Sequence, residues 1–182
     1  LLAGGALLWS VTSSLWVYPH SLSYFNELVG GPKRGHAHLD YSNIDWGQDL
    51  LYLKRWLDKH PEARPLRFAY SCQNFVDPRI VGIEYSLPPL RPDYDRPRPP
   101  GTPDEPGPLP GWYAISVQRL IDGDNAYPYV LSIEPVAMAG YSIYVYHITL
   151  DEANRMRGQL GMPLLPRDDA VRSAPFEPRW VE

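Results

Sequence analysis

The sequence predicts an α/β fold: a small mixed sheet with packed helices, preceded by a membrane-span helix and interrupted by a proline-rich loop. Three observations carry this expectation. Ser42–Leu50 holds a helix-start signal that runs into an apolar stripe, and a strand-like segment follows that helix directly, the order that opens an α/β layer. Leu66–Ser71, Trp112–Val117 and Ser142–Ile148 are rich in aromatic and β-branched residues with strand-like patterning. Between the first two of these, Leu87–Gly111 is dense in proline, which supplies no amide to a ladder and disfavours helix. A chain of 182 residues suits one domain with appendages, enough to bury a real core.

The first element is Leu1–Tyr18, which contains no charged residue. Its length is close to that needed to cross a bilayer, and Trp16 and Tyr18 fall where an aromatic belt sits at the interface. The competing reading is a buried helix of a soluble protein, favoured by the Ser13–Ser14 interruption. A secretory signal would begin with basic residues, and none is present. Pro19 then opens a short helix over Ser21–Leu28, with Leu22, Phe25 and Leu28 on one side. Beside a membrane span it would lie at the interface. Gly30–Gly31–Pro32 ends it, and Lys33–Tyr41 is a polar connector, so residues 19–41 form one linking unit.

The α/β domain is expected over residues 42–150. Asp45 can cap a helix start, with Gln48 three residues later closing a capping box, which places the first helical residue at Trp46. Trp46, Leu50, Leu53 and Leu57 then form an apolar stripe, while Lys54, Arg55, Asp58 and Lys59 take the other faces. Pro61 ends the helix by His60. A strand over Leu66–Ser71 is followed by a helical turn from Asp77 to Gly82, a brief strand over Ile83–Ser86, and an exposed polyproline-like loop over 87–111. Trp112–Val117 is a core strand, Asp122–Asp124 a turn and Ala126–Ile133 a short helix. Glu134–Ala139 and Ser142–Ile148 read as a hairpin joined at Gly140–Tyr141, with Tyr144 and Tyr146 on one face and Ile143, Val145 and His147 on the other. Thr149–Glu152 is a second capping box, opening a helix toward Leu160 that Gly161 closes. Residues 151–182 thus comprise a terminal helix and a poorly ordered tail.

Composition excludes several functions. The net charge is −4 and no segment gathers the Lys and Arg that a nucleic-acid groove requires. The single cysteine, Cys72, excludes an intrachain disulfide and a cysteine-rich zinc site. It follows a predicted strand, but no histidine stands at a telling spacing, and it reads as a small buried thiol. His36, His38 and Asp40 would share one face of a strand as zinc ligands do, yet no further ligands complete a set, so no metal is assigned. Nothing in the sequence points to a cofactor.

Asp45 and Asp49 lie one helical turn apart and could serve acid–base chemistry or a hard cation. Acidic residues in a first turn also meet the helix dipole favourably, which by itself explains both. Asn43, Asp45, Gln48 and Asp49 beside the Trp46 ring have the chemistry of a hydroxyl-reading surface for sugar, with polar groups beside an apolar platform.

Several stretches resemble a known family. Tyr18–Pro19–His20, Leu22–Leu28, Gly30–Gly31–Pro32 and Ser42–Leu50 are similar to the segment after the last membrane span of bacterial phospholipid-carrier-dependent glycosyltransferases, polytopic enzymes related to protein O-mannosyltransferases. Trp112–Ser116, Glu134–Val136 and Gly140–Tyr146 resemble the closing strands of the same C-terminal region. Tyr41 stands where the family usually has an acidic residue, with Asp40 displaced by one. The resemblance implies sugar transfer from a polyprenyl-phosphate donor on the outer side of the cytoplasmic membrane, by a whole enzyme of which this chain is the last span and the extracytoplasmic C-terminal domain. The catalytic acids of such enzymes lie in an early extracytoplasmic loop outside this sequence, so the catalytic residues are unknown here and the chain alone is expected not to turn over. Its expected partners are the membrane portion of the same enzyme, the lipid bilayer, the polyprenyl-linked sugar and a glycan or protein acceptor. Asn43, Asp45, Trp46, Gln48 and Asp49 are expected either to brace this domain or to bind substrate on the acceptor side. Two alternatives stand beside this: a membrane-anchored carbohydrate-binding module, and a glycoside hydrolase using Asp45 or Asp49.

Overall fold

The computed structural model describes residues 2–18, 46–121 and 123–167. Four strands form one mixed sheet: β1 (Leu66–Ala69), β2 (Gly111–Ser116), β3 (Ala137–Ala139) and β4 (Ile143–Ile148), in the spatial order β1-β2-β4-β3. β1 runs parallel to β2, with Leu66 opposite Trp112 and Ala69 opposite Ile115. β4 is antiparallel to both neighbours, with Ala114 opposite Val145 and Ala137 opposite the same Val145 on the other side. A parallel pair needs a long crossover, and here residues 70–110 supply it.

The period-two alternation sorts side chains onto two cores. Leu66, Phe68, Trp112, Ala114, Ile143 and Val145 meet helix α2 (Asp49–Lys59) on one face. On the other, Tyr113, Ile115, Tyr146 and Ile148 meet Ala153 and Met156 of helix α4 (Leu150–Gln159). The expected division of β4, tyrosines on one side and Ile143, Val145 and His147 on the other, is therefore seen: His147 stacks on Trp112 at 4.4 Å while Tyr146 joins the second core. The stripe of α2 is Leu50, Leu53, Trp56 and Leu57, all buried. Each such side chain contributes about 2 kcal/mol on burial, so this face, rather than helix propensity, fixes α2 on the sheet.

Several elements depart from expectation. A helix α3 (Val117–Ile121) begins where β2 was expected to end. Ile83–Ser86 reduces to one parallel bridge between Ser86 and Arg67. Ala126–Ile133 is a tight 3-10 turn over Pro128–Ser132, with Pro128 at its start where a missing amide costs nothing. The Thr149 capping box is present: the hydroxyl accepts from Glu152 N at 3.2 Å and Glu152 Oε2 accepts from Thr149 N at 2.8 Å.

The proline-rich loop is exposed only over its middle. Pro88, Pro89 and Leu90 are buried at its start, and Gly107 and Pro108 near its end. The Tyr129 hydroxyl donates to Pro89 O at 2.6 Å, and Gly107 N donates to Leu90 O at 2.6 Å, drawing the two ends together. Buried Arg157 of α4 donates to Pro163 O at 2.7 Å and to Pro106 and Pro108 O at 3.4 Å each, and pairs with Glu105 at 3.2 Å. Carbonyls left free by proline-rich backbone are thus satisfied by a guanidinium.

Helix α1 (Leu2–Val17) has 16 residues and no acidic or basic side chain in its end turns. At 1.5 Å per residue it is about 24 Å long, short of a hydrocarbon core of about 30 Å. No helix among the described residues is long and apolar enough to cross a membrane, so the span expected over residues 1–18 is not found there. Leu7, Leu8, Trp9, Val11, Leu15 and Trp16 are nevertheless all exposed. The expected interfacial helix and connector (19–41), the start of the capping box (42–45) and the tail from 168 lie outside the described residues, as does Asp122.

Candidate functional site

The stretch that opens the domain folds differently from a simple capping box. Gly47 has φ +117°, a value that breaks helical continuity and that L side chains rarely adopt. The helix consequently starts at Asp49, three residues later than expected, with Gln48 before it in helical conformation and making no cap bond to the helix. The Gln48 side chain turns back instead, and its Oε1 accepts from Trp46 N at 2.8 Å. Trp46 is left off the stripe: it is 56% exposed, its ring tilted against Phe75 at 6.4 Å.

Asp49 goes the other way. It is 0% exposed, and its Oδ2 accepts from Tyr141 N at 3.0 Å, across 92 positions of sequence. Gly140, in the turn between β3 and β4, has φ +60°, and a Cβ there would overlap the Asp49 carboxylate. Glycine is needed at that position twice over, for its left-handed backbone and for the close approach of the carboxylate. Of the five candidate residues, Trp46, Gln48 and Asp49 are thereby placed, one exposed, one half-buried and one buried. Asn43 and Asp45 lie outside the described residues, as do His36, His38 and Asp40.

This end of the molecule is also where β1 and β2 present their carboxyl ends, the place where open α/β sheets leave crevices. The Ser71 hydroxyl donates to Ser116 Oγ at 3.2 Å, and Val117 N donates to Ser142 O at 2.7 Å, tying the two strand ends to the β3–β4 turn. Beside them a cavity of about 20 Å³, enough for one water, is lined by Tyr70, Gln73, Leu90, Tyr94, Arg119 and Tyr127 among others. The proline-rich loop closes it. The Tyr94 hydroxyl donates to Asp124 Oδ1 at 2.8 Å, Arg96 pairs with Asp124 at 3.3 Å, and Arg91 N donates to Ala126 O at 3.1 Å. Burial pushes the Tyr127 phenol up to about 12, with Arg119 pulling in the opposite direction, and burial with the Asp124 bond raises Tyr94. Both phenols remain hydrogen-bond donors at neutral pH.

Among the described residues no three His, Cys, Asp or Glu side chains gather as a metal site. Cys72 is buried, in a turn where its carbonyl accepts from Phe75 N and Val76 N at 2.9 Å each. Sequence reasoning missed Trp56 in the stripe, α3 with its Arg119, and the Arg157 anchor. Period 3.6 from Leu53 and Leu57 would have found Trp56; the other two depend on contacts with no local signal. No protein-family model, curated protein or solved structure matches the chain.

Proposed function

We propose that this chain is the extracytoplasmic C-terminal domain of a membrane glycosyltransferase that transfers a sugar from a polyprenyl-phosphate donor, and that its own part in the reaction is structural or acceptor-binding rather than chemical. One observation carries the reading. The two family-like stretches, Ser42–Leu50 and Gly140–Tyr146, are far apart in sequence, and Asp49 of the first receives the Tyr141 amide of the second while its carboxylate packs on Gly140. A shared contact explains why both stretches carry the resemblance. In this proposal Asp49 braces the domain, and Trp46 and Gln48 face the membrane portion or the glycan or protein acceptor.

Helix α1 supports a membrane setting. Its large apolar side chains are exposed, and the hydroxyls of Thr12 and Ser14 donate to Leu8 O and Ser10 O at 2.8 Å, leaving little polar demand in lipid. For the glycoside-hydrolase alternative, which needs a carboxylate open to substrate, a fully buried Asp49 is a poor candidate, while Asp45 lies outside the described residues. The test uses membranes from cells expressing the whole gene product. The chain should stay in the pellet after alkaline carbonate, be cut in its proline-rich loop by protease added outside spheroplasts, and support sugar transfer from a polyprenyl-phosphate donor. Release by carbonate, or hydrolysis of glycosides by the isolated chain, would overturn the proposal.

A further inference from the structure

We infer that the cavity under the proline-rich loop is a binding site for the carboxylate group of a small organic acid, held by Gln73, Arg119 and Tyr127. All three line the cavity, and each reaches it from a different segment: Gln73 from the turn after β1, Arg119 from α3 directly after β2, and Tyr127 from the residue that opens the 3-10 turn Pro128–Ser132. Convergence of side chains from separate loops at the carboxyl ends of strands is how open α/β sheets build ligand sites. None of these three polar groups has a hydrogen-bond or ion-pair partner among the described residues. Tyr127 is only 6% exposed, and a phenol buried that deeply ordinarily donates to something. The cavity is the space left for that acceptor. The Arg119 charge acts on both the Tyr94 and Tyr127 phenols, so the guanidinium stands beside them.

Charge and shape select the ligand. Asp124 accepts from the Tyr94 hydroxyl at 2.8 Å and pairs with Arg96 at 3.3 Å, which leaves the one guanidinium charge of Arg119 over. A single positive charge calls for a monoanion, whereas a phosphate dianion would bring a second negative charge beside Asp124 with nothing to neutralise it. A planar carboxylate takes two parallel N–H bonds from a guanidinium, and its remaining lone pairs accept from a phenol and an amide. The enclosed space of about 20 Å³ suits a small head group and no larger body. The rest of the acid passes out under the proline-rich loop, whose hold there includes an ion pair through Arg96, a side chain more than half exposed and therefore easily parted. This inference is independent of glycosyl transfer.

The experiment follows the arginine Nε–Hε signals of the ¹⁵N-labelled full chain in detergent while sodium acetate or sodium lactate replaces sodium chloride at constant ionic strength. One signal, absent from Arg119→Lys, should shift saturably with either acid. Tyr127→Phe keeps the buried ring and should weaken binding about tenfold, the worth of one hydrogen bond to a charged group. Gln73→Ala, at a half-buried position in a turn, should weaken it several-fold and decides the matter where circular dichroism shows Tyr127→Phe to be unfolded. Sodium phosphate should give no saturable shift. A shift that never saturates means that the cavity holds water alone and overturns the inference. Saturation by phosphate at equal or lower concentration overturns the carboxylate assignment, and unchanged affinity in the folded Tyr127→Phe and Gln73→Ala variants shows that the acid binds elsewhere.

Discussion

Replacing Gly140 by Ala and Asp49 by Ala, singly and together, measures the contact on which the domain's opening stretch depends. Gly140→Ala puts a side chain in the left-handed region, at about 1–2 kcal/mol, and its methyl forces the Asp49 carboxylate away from the Tyr141 amide. A hydrogen bond to a charged group is worth about 1.5–3 kcal/mol, so the single variant should lose about 3–4 kcal/mol in all. Asp49→Ala removes the same bond, a loss of about 2–3 kcal/mol. The double variant loses that bond once, and truncating Asp49 to a methyl leaves room for the methyl that Gly140→Ala adds. Its destabilisation should therefore fall short of the sum by about 2 kcal/mol, roughly one such bond. Urea unfolding of the full chain, followed by tryptophan fluorescence with unchanged denaturant slopes, reads the cycle. Additivity to within about 0.5 kcal/mol would refute the reasoning, because it would mean that carboxylate and glycine do not share a contact.

Arg157→Met should free the end of the proline-rich loop, destabilising the fold by about 2–3 kcal/mol through its lost carbonyl bonds, with little added by half-exposed Glu105. Amide exchange at Gly107, protected by its bond to Leu90, should accelerate, and unchanged protection would show that the guanidinium does not hold the loop. His147 gives a pH signature. Burial on the Trp112 ring lowers its pKa below the ordinary 6.5, with Glu152 partly opposing. The unfolded chain then binds the proton more readily, so stability is lost as pH falls from about 6.5 toward the folded value, and urea midpoints of His147→Gln should lack this slope.

Much of the fold was legible in local chemistry. The alternation in Ile143–Ile148 named both faces of that strand, because a two-residue period needs no knowledge of what lies opposite. The Thr149 capping box was equally legible, since its donors and acceptors lie within four residues. The same kind of signal misled on where α2 starts, expected at Trp46, because Gly47 turns the chain and the helix begins only at Asp49.

Residue order alone was enough to place the four strands of the sheet, though it also read a strand at Ile83–Ser86 where only one bridge forms, to say where α4 begins, and to keep residues 87–110 out of the ladder, since each follows from side-chain period, capping or the missing proline amide. It took the folded chain to reveal that Asp49 serves the β3–β4 turn, that Arg157 ties down the proline-rich loop, and that Trp46 lies outside the core while Trp56 lies within it. The first two of these depend on groups 92 and 49 residues apart meeting in space, and no local pattern encodes which distant amide or carbonyl a buried charge will find.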